Sequence, residues 1–148
     1  MIPRSILIVG AVLTLVLEVQ PALAETPEGA SLRVDVSTFK SQKGTLRCSL
    51  FSSPAAFPDG EGTEVTAPVA GTISTCTFVG VAPGTYAIAV FHDENGNGKL
   101  DKAVFGLPVE GYGVSNNRTY ALSSPKWEEA KFTLGKGQTR AFTISLRY

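Results

Sequence analysis

An excess of either charge is missing from this sequence. Its 148 residues carry 13 basic and 13 acidic side chains, for a formal net charge of zero. With no basic surplus and no polybasic run, it offers nothing to a nucleic-acid backbone or an anionic membrane surface. Histidine is nearly absent, His92 being the only one. Its neighbour Asp93 invites a catalytic reading. Yet no strand–turn–helix signature of a nucleophilic serine is present, and a lone histidine at a strand end more often packs or caps. These gaps weigh against an enzyme. Long helical periods, internal repeats and low-complexity tracts are also missing. Glycine (15) and proline (9) are plentiful and favour turns and short elements, while a hydrophobic fraction of 43% is enough for a core.

The one long apolar run lies at the start. Arg4 precedes "SILIVGAVLTLVL", and "ALA" at 22–24 puts small residues where a signal peptidase reads them. Residues 1–24 are therefore expected to be a cleaved signal peptide, because about 13 apolar residues are too few to span a bilayer. A soluble single domain over residues 25–148 follows, secreted or periplasmic, with no membrane span after cleavage. In such an oxidising compartment Cys48 and Cys76, the two cysteines present, are expected to form a disulfide.

Period-two alternation runs through the rest. "SLRVDVST" places Leu32, Val34 and Val36 on one face, and "TLRCSLFSS" does the same with Leu46, Cys48 and Leu50. The short polar turn between them predicts a hairpin. "TISTCTFVGV" is a further strand. "YAIAVFH" is apolar on both faces and reads as a central one. "AKFTL" and "RAFTISLRY" close the pattern, "PKWEEA" suits one helical turn, and the 54–71 and 102–125 stretches read as long loops with short strands at most. The expected fold is all-β, an antiparallel sandwich of immunoglobulin-like or transthyretin-like type with about seven strands. A closed barrel is the alternative.

One loop carries candidate chemistry. In "FHDENGNGKLD", counting from Asp93, oxygen-bearing Asp93, Asn95 and Asn97 fall at positions 1, 3 and 5, Gly98 at 6, Lys99 at 7 with its carbonyl, Leu100 at 8 and Asp101 at 9. That is the front of an EF-hand calcium loop. The pattern then fails, since Val104 stands where a bidentate Glu belongs and a strand, not a helix, leads in. With few charges, calcium affinity is expected to be weak, with Kd on the order of 10⁻⁴ to 10⁻³ M; Glu110 is the carboxylate that could complete the set. Oxygen-only donors argue against zinc. A metal-free turn rich in Asn and Asp is the competing reading. Tyr112, Tyr120 and Trp127 either line a groove or pack internally.

The blocks "GVAPGTYAIAVFHDENGNGKLD", "FGLPVEGYGVSNN", "AKFTL" and "ISLRY" resemble the domain of unknown function 2141 family, from about Leu32 to Tyr148. "PGTYAIAV" is also similar to strands of transthyretin-like and collagen-binding B-type modules. The resemblance implies a small exported bacterial β-sandwich and carries no catalytic residues. It also implies that the acidic loop and the "GLPVEGYGVSNN" loop form one site. The cysteine pair is read from this sequence alone. The expected function is a weak calcium-binding or structural and interaction module. A secreted hydrolase using residues 92–112, or a surface adhesion or assembly partner, are the alternatives. No particular partner is indicated.

Overall fold

The computed structural model describes residues 29–118, 120 and 123–148; the leader expected over residues 1–24 lies outside them. Among the described residues the strands are β1 (Ala30–Ser37), β2 (Thr45–Phe51), β3 (Thr63–Pro68), β4 (Ile73–Val81), β5 (Gly84–Asp93), β6 (Tyr112–Val114), β7 (Phe132–Leu134) and β8 (Thr139–Ser145). One helical turn, α1 (Trp127–Ala130), stands where "PKWEEA" predicted it. The strands form a three-stranded sheet in the order β4-β1-β8, and a five-stranded one, β3-β2-β5-β6, with β7 on the first residues of β5. The protein is an all-β sandwich.

Alternation explains both sheets. Leu32, Val34, Val36, Cys76, Phe78, Phe142 and Ile144 from the smaller sheet meet Leu46, Cys48, Leu50, Ile88 and Val90 from the larger in one buried cluster. Cys48 on β2 and Cys76 on β4 are joined across that core with their Cα atoms 6.5 Å apart. β5 is central, as its doubly apolar sequence requires. Its second face, Ala87 and Ala89, lies under a smaller cluster made with Val114, Tyr120, Ala130, Phe57 and Trp127. Trp127 packs edge-on against Phe57, 6.0 Å between ring centres, so it belongs to that cover.

Two connections differ from expectation. β1 and β2 are not a hairpin: β1 pairs with β4 and β8, β2 with β3 and β5. The turn between them crosses from one sheet to the other, with Thr38 at φ 69°. Alternation tells which face of a strand is buried and leaves its neighbour open. β1 and β8 also run parallel, Val34 opposite Phe142, within an otherwise antiparallel fold.

The disulfide closes a separation of 28 residues. Its removal is expected to cost about 3.5 kcal/mol on the chain-entropy account. Urea unfolding of the Cys48→Ala/Cys76→Ala double variant checks this. The same loss should appear in the wild type unfolded under reductant, and equal stability in both redox states would disprove the structural role.

Candidate functional site

The acidic loop leaves the end of β5, and register explains its anchor. β2 and β5 pair antiparallel with Thr45 opposite Asp93 and Arg47 opposite Phe91. Arg47 and Asp93 therefore sit one diagonal apart on the same outer face. The Arg47 Nε donates to Asp93 Oδ2 at 2.9 Å, and its Nη1 donates to Glu64 on β3 at 2.6 Å. The Asp93 side chain is fully buried while that of Arg47 is 23% exposed. The loop then curls back on the same carboxylate. The N–H of Gly98 donates to Oδ2 at 2.9 Å and that of Asn97 to Oδ1 at 3.1 Å. Gly98, at φ 78°, takes a backbone conformation that the bend requires, and its Cα lies against the Arg47 guanidinium.

The remaining predicted residues interlock in the same way. Asn95 and Asn97 each donate a side-chain N–H to the Asp101 carboxylate, at 2.6 and 2.9 Å. Their carbonyl oxygens accept the N–H groups of Asn97 and Lys99, at 3.0 and 2.8 Å. Lys99 thus enters through its N–H, and its side chain is exposed. Glu110, buried, reaches in from the second loop: Oε1 accepts the Glu94 N–H at 2.9 Å and Oε2 the Asp101 N–H at 3.0 Å. The structure therefore brings Asp93, Asn95, Asn97, Lys99, Asp101 and Glu110 into one network, and the two loops are one unit. The side-chain oxygens of Asp93, Asn95, Asn97, Asp101 and Glu110 all accept N–H groups, that of Arg47 among them. Among the described residues no group of three or more His, Cys, Asp and Glu side chains is arranged to hold a metal. Leu100 is half-buried beside a cleft instead of in the core.

Electrostatics follow the geometry. Burial pushes the Asp93 carboxyl up, but the Arg47 hydrogen bond, the N–H groups of Gly98 and Gly96 and the Arg47 charge together hold it below the usual carboxylate range. The same hydrogen bond raises the guanidinium of Arg47.

His92 is fully buried and spent on packing. Its Nε2 donates to the Lys43 carbonyl at 2.6 Å, which leaves Nδ1 to accept from the Tyr148 hydroxyl at 2.8 Å. That hydroxyl also accepts the Lys40 N–H at 2.9 Å. The imidazole stitches the β1–β2 crossing to the C-terminal residue. The Tyr148 ring in turn lies so close to Gly111 that a β-carbon there would be 2.4 Å from it.

Sequence reading missed the segment between the two anchors. Residues 101–109 form a small hairpin: Val109 N–H donates to Asp101 O at 2.9 Å, Ala103 N–H to Leu107 O at 2.8 Å, and Lys102 bridges with Pro108. Its tip is apolar and bare, with Phe105 96% exposed at φ 70° and Val104 76% exposed. The hairpin overhangs a cleft of about 530 Å³ on the outer face of the larger sheet, floored by Ala89, Phe91 and Val114. Lys102 Nζ reaches Asp59 Oδ2 at 3.4 Å and ties the hairpin to the opposite wall. Tyr112 lines the cleft and donates its hydroxyl to the Tyr120 carbonyl at 2.8 Å. The available signal was an apolar "AVFGLPV" run between charged residues.

Fold and site together define a disulfide-stapled β-sandwich with a hydrogen-bonded double loop at one end of its larger sheet. The chain belongs to the family described as "Uncharacterized protein conserved in bacteria (DUF2141)", whose profile matches residues 34–141. No curated protein and no solved structure matches. Among the described residues no helix is long and apolar enough to cross a membrane.

The buried pair makes a test. Arg47→Ala leaves the Asp93 charge without its counter-ion and is expected to cost about 3 kcal/mol in chemical denaturation. The sign of the pH dependence follows from the lowered Asp93 value. Its contribution is complete above the unfolded value near 4, and is lost as pH falls through the folded value. Asp93→Asn should therefore show a shallower acid-side loss than wild type; Asp35, also lowered, chiefly by its Thr75 hydrogen bond, contributes in both proteins. An identical acid limb in both proteins would contradict this.

Proposed function

We propose that the protein is an exported binding module in which the 93–110 double loop is a rigid scaffold, and that its ligand-facing part is the apolar hairpin over the cleft. The observation that carries this reading is Phe105. An almost wholly exposed aromatic held at φ 70° by a closed hairpin does nothing for the core, and isolated solvent gains nothing from it. The cleft beneath has the size and the apolar floor with a few charged rim groups typical of sites for small organic ligands. The ligand class it suits has an aromatic or branched apolar group, with polar atoms left at the Asp59–Lys102 rim. Export is supported by the leader pattern in the sequence and by the Cys48–Cys76 bridge, which an oxidising compartment maintains.

In this reading the loop needs no cation, because Arg47 and backbone N–H groups neutralise and saturate its carboxylates. The weak calcium site is the competing proposal, favoured by the part-exposed Asp101 with two Asn side chains on its oxygens. The two separate in one measurement. A site with Kd about 1 mM would add about 1 kcal/mol of stability at about 5 mM calcium. The scaffold reading expects the same melting temperature in calcium and in chelator. A rise in calcium that Asp101→Ala abolishes would establish the metal site. The cleft itself is tested by an NMR titration with anilinonaphthalene sulfonate as the apolar probe. Amide shifts should gather at Ala89, Phe91 and Val114 and vanish in Phe105→Ser/Leu107→Ser. Shifts that persist unchanged in that variant would overturn the binding role.

A further inference from the structure

The open edges of the two sheets are not treated alike. β3, at one edge of the larger sheet, carries Glu64 and ends in Pro68. Both are devices that discourage another strand from pairing. β8 carries Arg140, and the second loop meets the end of its free side: Ser145 N–H donates to the Asn117 side chain at 3.0 Å, and Arg147, just beyond the strand, bridges with Tyr112. β6 is only three residues long. β4 lacks a charge, a proline and a covering loop. It runs for nine residues, "ISTCTFVGV"; a β-bulge against β1 at its far end, with Gly80 at φ 70°, leaves residues 73–79 as the regular edge, and among the described residues nothing pairs with its second side. Its outward side chains are Ile73, Thr75, Thr77 and Val79, with Ile73 56% and Val79 74% exposed.

We propose that β4 is a self-association edge, pairing antiparallel with β4 of a second copy about a two-fold axis at Cys76. The sequence is its own complement in that register. Ile73 falls opposite Val79 of the other copy, and Thr75 opposite its Thr77. These are β-branched and hydroxyl pairs of the kind that stabilise adjacent strands, and no like charges meet. The register also pairs odd residues with odd and even with even. The N–H and C=O groups that β4 turns away from β1 therefore meet their counterparts directly. Two three-stranded sheets become one continuous sheet.

Sedimentation of the chain purified after expression from the full sequence tests this. A concentration-dependent dimer is expected. Val79→Lys, at an exposed position, should weaken it at least tenfold without lowering the melting temperature, while Thr66→Lys on β3 should leave it unchanged. Mixing Val79→Lys with Ile73→Glu should restore a one-to-one dimer, because only this register sets the two new charges opposite each other. A wild type that stays monomeric at every concentration overturns the proposal, as does a dimer indifferent to Val79→Lys. Failure of the charge-swapped mixture overturns the register.

Discussion

A carboxylate shut away from water must find every hydrogen-bond partner inside the protein, and the position of Asp93 organises one end of this molecule through that demand. It is the last residue of the central strand β5, on the outer face. Arg47 answers from β2, and the loop answers by folding its own N–H groups back onto the same two oxygens. Everything downstream is placed by that turn. Asp101 arrives where Asn95 and Asn97 can hold it, its N–H meets Glu110, and the 101–109 hairpin starts from a fixed base. Arg47 stands on the cross-strand neighbour, so the loop's shape depends on the pairing of β2 with β5.

The fold was legible in the sequence to the extent that burial alternates. Strands at 30–37, 45–51, 73–81, 84–93 and 139–145 are each announced by apolar residues two apart, and the central place of β5 by its second apolar face. Partners were not legible. The short turn after β1 reads as a hairpin, yet Val36 and Leu46 serve opposite sheets, because both orders bury the same side chains. The parallel pairing of β8 with β1 was hidden for the same reason, since alternation has no direction.

The candidate site divides likewise. The spacing of Asp93, Asn95, Asn97, Gly98 and Asp101 identified a loop whose oxygens converge, and the structure does gather these residues with Glu110. What spacing could not reveal is what they converge on. Alternate oxygens around a tight bend satisfy backbone N–H groups as readily as they satisfy a hard cation, and Arg47, which pairs with the first of them, is 46 positions away in sequence. An outward-facing arginine in a strand looks like an ordinary solvated charge until the register is known.

The hydrogen bonding at the loop end changes the meaning of the apolar tip it carries. A flexible loop exposing Val104 and Phe105 could fold them down, and a ligand would then have to meet the entropy of holding it open. Here the hairpin's base is tied at Asp101 to Glu110 and at Lys102 to Asp59, and its strands bond to each other. The ordering has been met by folding itself, through polar groups that lie outside the sandwich core. Polar network and apolar tip are thus parts of one device: the first holds the second in water, over a cleft whose floor is the outer face of the same strand that ends in Asp93.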